Sequence, residues 1–409
     1  MMNLEAGMAE AFLVGGVRTP VGRYGGVLSG VRPDDLGALA IREAVARAGI
    51  DPGEIDEVIL GNANGAGEEN RNVARMASLL AGLPETVPGI TVNRLCASGL
   101  SAIIMASHMI KSGAADIVVA GGVESMSRAP WVMEKPAKAF AKPGDVFDTS
   151  IGWRFTNPIF AAQDKTTYSM PETAEELASV DGITRDEADA FALRSHQRAL
   201  AAIEAGHFRD EIVAVTTRAG KREVIVDTDE GPRADTTLDV LAGLRPVVKR
   251  DGVVTAGNSS SLNDGASAVV VASEAAVNRL GLAARARILD GASAGVPPAI
   301  MGIGPVPATQ KVLQRTGLGI GDLTAVELNE AFATQSIACI RRLGLDEELV
   351  NRDGGAIALG HPLGSSGSRL AITLLGRLER EARGEGRAIG LATMCVGVGQ
   401  GTAMLLERV

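Results

Sequence analysis

The feature that most constrains the fold of this chain is an internal repeat. Residues 49–61 resemble residues 317–329, and the serine–glycine pair at 98–99 has a counterpart at 366–367, in both cases 268 positions later. A predicted helix and then an apolar strand follow each serine–glycine pair. Two matches at one spacing, in the same helix-then-strand context, indicate that the chain contains two related α/β halves.

Apolar strands alternate with amphipathic helices along both halves, which is the pattern of an α/β fold. After the two serine–glycine pairs we expect helices over residues 100–112 and 369–383. Strands should follow over residues 116–121 and 388–394, so that the second copy carries a few inserted residues.

The stretch between the repeats, roughly 128–250, differs from them in composition. It contains both tryptophans, many charges and turn signals rich in proline and glycine. Two helices are predicted within it, over 171–179 and 184–205, and the second has a capping box formed by Thr184 and Glu187. We interpret this stretch as an insertion that covers a site formed by the two halves.

Composition and charge exclude several classes of function. With 49 acidic and 40 basic side chains, the net charge of −9 argues against a broad nucleic-acid-binding surface. No apolar run approaches the roughly 18 residues that span a bilayer, and the start lacks the features of a secretory signal. Translation could equally begin at Met8, which would make residues 1–7 an extension. Three cysteines and four scattered histidines favour a reducing compartment, the cytoplasm, and argue against a metal site.

The first segment that could carry chemistry is a strand-like run that ends in Cys96. Small residues follow this cysteine and open a helix, so its thiol would meet the positive end of the helix dipole. Unpaired N–H groups and the dipole favour a thiolate there, which predicts a nucleophile. The alternative is a buried and inert cysteine, the commoner state of a free cysteine.

A second segment, 354–367, surrounds one histidine with glycines and a proline. By the internal repeat, Gly364 occupies the position equivalent to Cys96, and His361 lies three residues before it. His361 would therefore face Cys96 if the halves pack about a pseudo-twofold axis, and a Cys–His pair is the usual way to activate a thiol. The alternative is a glycine-rich loop with a solvated histidine.

Three further segments present groups suited to catalysis or ligand contact. A strand delivers Cys395 to a glycine-rich turn whose N–H groups, including that of Gly397, could hold an oxyanion. Too few residues follow this turn for the βαβ unit of a dinucleotide site. Asn329 and Glu330 end a predicted strand with an amide and a carboxylate, or else cap a helix. The polar loop 255–265 suits close ligand contact, or is an ordinary turn.

Taken together, these segments resemble the thiolase family, in order and over nearly the whole chain. The matching signatures are the Cys96 segment, the run 329–332, the loop 360–362 and the turn 395–397. The resemblance implies an α/β thiolase fold of two duplicated halves in five α/β/α/β/α layers, with an inserted loop domain. The implied domains are an N-terminal half, a loop domain and a C-terminal half: 8–127 with 263–284, 128–262, and 285–409.

The resemblance also implies the chemistry of a degradative thiolase, which cleaves a 3-ketoacyl-CoA to acetyl-CoA and a shortened acyl-CoA. Cys96 would carry the acyl group, His361 would be its base, and Cys395 would be the acid–base catalyst. Asn329, through a water, and His361 would stabilise one thioester oxyanion. The N–H groups of Cys96 and Gly397 would stabilise the other. Coenzyme A enters as a co-substrate, and the resemblance implies neither a permanently bound cofactor nor a metal.

Several contacts to coenzyme A follow from the same resemblance. Ser260 matches a serine that meets the pantetheine arm, and Arg233 matches an arginine on the phosphate or adenine side. Met170 matches a methionine of the acyl pocket, and Phe332 is a further expected ligand contact. Ser169 stands where short-chain biosynthetic thiolases have a histidine, which argues against acetoacetyl-CoA synthesis as the main task.

Within the family, segments 147–155, 169–174 and 301–305 look most like 3-oxoadipyl-CoA thiolases, which act in the breakdown of aromatic compounds. The distal carboxylate of such a substrate would need a fixed cation, ideally a guanidinium. Arg128 and Arg154 are the candidates in the insertion. Of the two, Arg154 is favoured because its aromatic neighbours could hold it rigid and exclude water. The alternative is a structural arginine that bridges loops.

Other proteins share this fold and remain alternatives. An acetoacetyl-CoA thiolase would act in the direction of condensation. A ketoacyl-synthase-like enzyme typically pairs its cysteine with two histidines or a His–Asn pair, whereas Cys395 occupies the second position here. A non-catalytic lipid carrier would most simply lack Cys96, His361 or Cys395. The family also implies a homodimer or homotetramer whose partners are acyl-CoA and CoA, with no nucleic acid or membrane.

Overall fold

The computed structural model describes residues 9–381 and 387–409. The alternative start at Met8, with residues 1–7, lies outside the described residues, as does position 383, the expected end of the last long helix. Over the described part of the chain, no helix is both long enough and apolar enough to cross a membrane.

Strands and helices alternate along both halves, as the sequence predicts. The strands are β1 (Ala11–Arg18), β2 (Gly22–Arg23), β3 (Glu57–Gly61), β4 (Gly89–Val92), β5 (Ile117–Ser125), β6 (Trp131–Met133), β7 (Val146–Asp148), β8 (Val215–Ala219), β9 (Arg222–Val226), β10 (Asn263–Ser273), β11 (Ala286–Gly295), β12 (Leu323–Leu328), β13 (Ile389–Val396) and β14 (Gln400–Arg408). The α-helices are α1 (Pro33–Ala48), α2 (Val73–Leu80), α3 (Ser98–Lys111), α4 (Pro158–Ala161), α5 (Met170–Asp181), α6 (Arg185–Ala205), α7 (Leu238–Ala242), α8 (Glu274–Leu280), α9 (Pro305–Thr316), α10 (Ala333–Leu343), α11 (Ala356–Leu359) and α12 (Leu363–Glu381).

The two halves contain sheets with the same strand pattern. In the N-terminal half the order is β1-β10-β5-β3-β4, antiparallel from β1 to β5 and parallel from β5 to β4. In the C-terminal half the order β11-β14-β13-β12 repeats this pattern, with β13 and β12 parallel. The edge strands β1 and β11 pair over a short stretch and join the two sheets. The predicted duplication is therefore confirmed.

The helices form three layers around these sheets. Helices α3 and α12 lie between the sheets, since both contact strands of the N-terminal and of the C-terminal half. Helix α1 packs against β10, β1 and β5, while α9 packs against β11, β14 and β13. This arrangement gives the expected five α/β/α/β/α layers.

Two glycines at equivalent positions of the repeat allow α3 and α12 to pack closely. A Cβ atom on Gly99 would lie 2.6 Å from the carbonyl oxygen of Gly364. A Cβ atom on Gly367 would lie 2.3 Å from the backbone nitrogen of Leu100. Gly99 and Gly367 are 268 positions apart. The helices therefore approach each other backbone to backbone, with their N-terminal turns side by side.

The start of α12 differs from its prediction. Helix α3 begins at Ser98, two residues before its expected start at Leu100, whereas α12 begins at Leu363, six residues before its expected start at Arg369. The carbonyl group of Pro362 already accepts the N–H of Ser366 at 3.0 Å. The fixed φ of proline suits this helix start, and packing against α3 offsets the low helix propensity of the glycines that follow.

The insertion contributes helices that cover the C-terminal half. Helices α5 and α6 confirm the two predicted helices, and both contact α10. The predicted capping box of α6 is present, because the carboxylate of Glu187 accepts the N–H of Thr184 at 2.8 Å. The Glu187 N–H donates in return to the Thr184 hydroxyl at 3.3 Å.

Candidate active site

Most of the predicted site residues line one cavity between the two halves and the insertion. Cys96 reaches it from the turn before α3, His361 from the turn before α12, and Cys395 from the end of β13. The other predicted residues on its wall are Gly397, Met170, Ser260 and Phe332. Asn329 joins this group through His361, and Arg233 lies in a neighbouring cavity.

Cys96 sits in a tight turn that presents its thiol ahead of α3. Leu95 adopts a left-handed backbone with φ of 47°, which is uncommon for leucine. The Ser98 hydroxyl holds the turn, since it accepts the N–H of Arg94 at 2.8 Å and donates to the Leu95 carbonyl at 2.6 Å. The N–H of Gly397 points to the thiol from the opposite half.

The thiol of Cys96 is held in its protonated form. Burial raises its pKa to about 11, and the nearby carboxylate of Glu124 adds to this effect. The N–H groups of Gly397 and of Cys96 itself lower the pKa, but by less. The prediction that the helix dipole favours a thiolate in the free protein is therefore wrong, because loss of hydration outweighs it. To act as a nucleophile, Cys96 would need a base.

His361 has the protonation state that such a base requires. Its Nδ1 lies 2.6 Å from the Ser366 hydroxyl oxygen, which itself donates to the Pro362 carbonyl at 3.0 Å. This network assigns the proton to Nδ1 and leaves the lone pair on Nε2, 3.4 Å from the amide nitrogen of Asn329. Burial, followed by the charge of Arg369, lowers the pKa of His361 to about 3.

A buried asparagine of the N-terminal half holds the backbone of this histidine. The Asn263 side-chain oxygen accepts the N–H of His361 at 2.8 Å, and its amide donates to the Gly22 carbonyl at 2.9 Å. Gly360 allows this approach with a φ of 106°, and a Cβ atom on it would lie 2.5 Å from the Asn263 side chain. The alternative of a solvated histidine on a loose loop is therefore wrong.

Asn329 and Glu330 have different partners at the end of β12. Among the described residues the Asn329 side-chain oxygen has no hydrogen-bond partner, although it is buried, so it can accept a bond from a ligand or a water. The Glu330 carboxylate accepts bonds from Ser195 at 2.6 Å, Asn351 at 2.9 Å and the N–H of Ile357 at 3.2 Å. The pair is therefore not a helix cap, which was the alternative prediction.

Cys395 occupies a more apolar environment than Cys96. It lies at the end of β13, almost fully buried, and packs with Met170, Met301 and Phe332. Burial, followed by the proximity of Cys96, raises its pKa well above the ordinary value. The two thiols thus have different environments, since Cys96 has the N–H of Gly397 at its sulfur and shares its cavity with a neutral imidazole, whereas Cys395 is a protonated group in an apolar wall.

A second cavity continues from the first, and the two share Ser261 and Leu262. Arg23 and Arg233 line it together with His196, whose Nδ1 accepts the N–H of Arg233 at 3.2 Å. Burial, then the charges of Arg233 and Arg23, lower the pKa of His196 to about 4. The positive charge of this cavity therefore comes from the two guanidinium groups, which suits a phosphorylated ligand.

Neither of the two arginines considered for a distal carboxylate is among the described residues that line the first cavity. Arg128 is engaged with the Glu68 carboxylate through bonds of 2.5 and 2.7 Å. Within the described residues, the hydrogen bonds of Arg154 are long, 3.4 Å to the Asn64 side chain and 3.5 Å to a backbone carbonyl. Its neighbours Trp153 and Phe155 are 36% and 49% exposed and Arg154 itself is half-buried, so its rigid shielding stays a prediction.

Comparison with known proteins agrees with this arrangement. The family model described as "Thiolase, N-terminal domain" matches residues 11–275, and "Thiolase, C-terminal domain" matches residues 282–408. The chain belongs to the thiolase family. It is 56% identical to the beta-ketoadipyl-CoA thiolase of Pseudomonas aeruginosa, over 98% of this chain and 99% of that protein.

Two further relatives cover nearly the whole thiolase. The 3-oxoadipyl-CoA/3-oxo-5,6-dehydrosuberyl-CoA thiolase of Escherichia coli is 54% identical over 98% of this chain and 100% of its own. The crystal structure of the Bacillus anthracis acetyl-CoA acetyltransferase superposes with a TM-score of 0.92 at 42% identity, over 98% of this chain and 100% of that one. The thiolase fold is thereby confirmed, and the protein is an acyltransferase.

Three residues that bear on the site are absent from the sequence-based prediction. Asn263 falls within the polar loop singled out for ligand contact, but nothing local indicated its bond to His361. Arg23 ends the short strand β2, and Glu124 lies inside an apolar strand, β5. An acidic residue in an otherwise apolar strand is the one signal that could have drawn attention to Glu124.

Proposed function

We propose that this thiolase works in the degradative direction, through an acyl group carried on Cys96. The observation that supports this proposal is the meeting of Cys96, His361 and Cys395 at one cavity, where the imidazole is neutral and the Cys96 thiol is protonated. A half-buried thiol of raised pKa reacts only when a base removes its proton, and the Nε2 lone pair of His361 is available for that step.

The reaction divides between the two cysteines. His361 takes the proton of Cys96, and the thiolate attacks the 3-keto carbon of the substrate. The bond between C2 and C3 then breaks, which leaves the acyl group on Cys96 and the enolate of acetyl-CoA. Cys395 donates its proton to the enolate carbon. The thiol of a second coenzyme A finally attacks the acyl group and releases Cys96.

Two sets of donors stabilise the charge that develops on the thioester oxygens. Asn329, through a water, and protonated His361 stand at one oxyanion, and the unpartnered Asn329 oxygen fits a bridging water. The N–H groups of Cys96 and Gly397 stand at the other, and both already point to the Cys96 thiol. Donors fixed before the reaction stabilise the transition state without reorganisation.

Coenzyme A spans the two connected cavities in this proposal. Ser260 and Phe332 meet the pantetheine arm on the wall of the first cavity, and Met170 borders the acyl group. Arg233 meets the phosphate or adenine end in the second cavity. The loop domain, 128–262, covers the ligand, and the two halves, 8–127 with 263–284 and 285–409, supply the reacting groups.

We propose 3-oxoadipyl-CoA as the substrate, because the thiolases of Pseudomonas aeruginosa and Escherichia coli compared above are named for it and are 56% and 54% identical to this chain. Ser169, which stands where biosynthetic thiolases have a histidine, caps α5 instead, since its hydroxyl and N–H both bond to Glu172 at 2.7 Å. The alternatives are an acetoacetyl-CoA thiolase acting in condensation and, with less support, a ketoacyl-synthase-like enzyme.

A substrate panel tests this proposal directly. Thiolysis with coenzyme A should be measured on acetoacetyl-CoA, 3-ketohexanoyl-CoA and 3-oxoadipyl-CoA under the same conditions. We expect the highest kcat/KM with 3-oxoadipyl-CoA. A preference for acetoacetyl-CoA, together with faster condensation than cleavage, would favour the biosynthetic alternative.

The substitution Arg154→Met tests how the distal carboxylate is recognised. If the guanidinium meets that carboxylate, kcat/KM for 3-oxoadipyl-CoA should fall by ~10-fold or more, in keeping with the ~1.5–3 kcal/mol of a charged hydrogen bond. Cleavage of acetoacetyl-CoA, which lacks the carboxylate, should change far less. Arg128→Met is the control, because its guanidinium is occupied by Glu68. A parallel loss on both substrates in Arg154→Met would mean that Arg154 only supports the loop domain.

The remaining proposals concern assembly and location. We propose a homodimer or homotetramer in the cytoplasm, with acyl-CoA and CoA as its only ligands and without nucleic-acid or membrane partners. The negative net charge argues against nucleic acid, the three cysteines favour a reducing compartment, and the oligomeric state rests on analogy with the thiolase family. Sedimentation of the purified protein would establish the number of subunits.

A further inference from the structure

A buried carboxylate lies at the junction between the two halves, close to the reacting groups. Glu124, near the end of β5, is 2% exposed. Its carboxylate oxygens accept three backbone N–H groups, from Ala63 at 2.8 Å, Asn64 at 3.1 Å and Gly364 at 2.9 Å. The first two donors belong to the N-terminal half, and the third belongs to the first turn of α12 in the C-terminal half.

The position of His361 depends on this junction. Cys96 is fixed on the N-terminal half, whereas His361 lies on the C-terminal half, three residues before Gly364. The distance between base and nucleophile is therefore set by how the two halves meet at the start of α12. Two side chains of the N-terminal half hold that segment, Asn263 at the N–H of His361 and Glu124 at the N–H of Gly364.

We propose that Glu124 is a positioning residue of the active site, whose carboxylate fixes the start of α12 and thereby sets His361 at its distance from Cys96. This proposal rests on the role of His361 as the base of Cys96.

The contacts around the side chain of Glu124 suit a carboxylate. A Cβ atom on Gly364 would lie 2.7 Å from the carbonyl oxygen of Val123, so the start of α12 lies backbone against backbone at the end of β5. Both carboxylate oxygens of Glu124 face N–H donors. An amide in its place would direct its own NH₂ group at one of those donors, and the loop or the helix would have to move away. The contact is thus specific for a carboxylate.

The neighbouring residue Glu69 offers a matched control. Glu69 belongs to the loop between β3 and α2, which also contains Ala63 and Asn64. Like Glu124 it is 2% exposed, and it accepts the N–H of Gly67 at 3.0 Å. Burial raises the pKa of both carboxyl groups. The pKa of Glu124 reaches about 7. The hydrogen bonds found for Glu69 within the described residues stay inside its own loop, so Glu69→Gln removes a buried carboxylate without releasing α12.

The test is a double-mutant cycle between Glu124→Gln and His361→Ala. A base displaced by a fraction of an ångström to 1 Å loses much of its effect, so Glu124→Gln should lower kcat for thiolysis by about 10-fold or more. The KM for the acyl-CoA should change by less than about 3-fold, because no ligand contact is removed. In the His361→Ala background the same change should cost less than about 2-fold, because the base that it positions is already gone. Glu69→Gln should cost less than about 2-fold in either background.

The possible outcomes distinguish failure of the positioning role of Glu124 from failure of the proposed role of His361. An equal loss from Glu124→Gln with and without His361 would overturn the positioning role. Full activity of His361→Ala alone would instead overturn the role of His361 in the proposed function. If Glu124→Gln lacks the near-UV circular dichroism of the wild type, the cycle is run with Glu124→Asp, which keeps the charge but shortens its reach. The same non-additivity with His361→Ala is then required.

Discussion

The N-terminal turns of α3 and α12 are equivalent parts of the repeat, here called the first and the second copy, but they carry different side chains. At the first, Cys96 stands before the helix, and the end of β13 brings the N–H of Gly397 to its thiol. At the second, Gly364 occupies the equivalent position, and the end of β5 brings the carboxylate of Glu124 to its N–H. The first copy opens into a cavity, whereas the second is occupied by the carboxylate of Glu124.

The strand pairings show how close this correspondence is. Leu60 pairs with Gly121, and its repeat equivalent Leu328 pairs with Thr393. Two residues further along each strand, Val123 of β5 corresponds to Cys395 of β13. A helix N-terminus at the end of a strand is therefore not an active site by itself. The side chains placed there decide whether it binds a substrate or an internal carboxylate.

The largest expected effect concerns Cys96, the proposed nucleophile, which only the first copy carries. Cys96→Ser should lower thiolysis by ~10⁴-fold or more, since removal of a nucleophile removes the covalent route. Mass spectrometry of the wild type after incubation with an acyl-CoA should place the adduct on Cys96. An adduct on Cys395 or on Cys339 would show that Cys96 is not the nucleophile.

The next-largest expected effect concerns Cys395 of β13, whose counterpart in β5 is Val123. Cys395→Ala should lose condensation and α-proton exchange by ~10²–10⁴-fold, the range of a general acid–base group. Acylation of Cys96 by an acyl-CoA, followed by mass spectrometry, should continue, because that step does not use the second thiol. A variant that is folded and yet fails to acylate would contradict this division of labour.

A stability measurement tests whether the second copy is closed. Gly364→Ala should lower the free energy of unfolding by about 3 kcal/mol, because its Cβ would meet backbone atoms at 2.7 and 2.8 Å that cannot move apart freely. Gly376→Ala, in the same helix, meets only the end of the Arg380 side chain and should raise stability by up to about 1 kcal/mol. Urea denaturation of both variants provides the measurement. Equal stability of the two would mean that the second copy has room for a side chain.

The smallest effect concerns protonation at the first copy. Because burial raises the pKa of Cys96 to about 11, the thiol is the stable form below that pH, and the thiolate fraction rises about 10-fold for each unit of pH. Alkylation of the free enzyme by iodoacetamide should therefore accelerate about 10-fold from pH 8 to pH 9 without a plateau. His361, whose pKa is lowered to about 3, should add no step above pH 5. A plateau that begins near pH 7 would indicate a stable thiolate.

The sequence was sufficient for features whose signals are local or repeated. The duplication gave the two sheets, and the capping box marked the start of α6. The short motifs around Cys96, His361 and Cys395 named residues that share one cavity. Motifs of this kind are readable because each places its reacting group and the glycines around it within a few residues.

Features that depend on distant contacts were missed or misjudged. Glu124 bonds to a residue 240 positions away, and Asn263 to one 98 positions away, so no local pattern reveals either contact. The state of Cys96 was misjudged because the helix dipole is visible in the sequence, whereas the loss of water around the thiol depends on the tertiary fold. The early start of α12 depends on its packing against α3.

The crossing of α3 and α12 at Gly99 and Gly367 has the symmetry of a contact between identical subunits. In an assembly of two identical chains, each substitution at such a contact appears on both sides of the axis. Here both sides are encoded in one polypeptide, so each can vary alone. Only a fused pair can place a thiol at one helix start and an internal acid at the other, and asymmetry of this kind lets a twofold scaffold handle one substrate in one orientation.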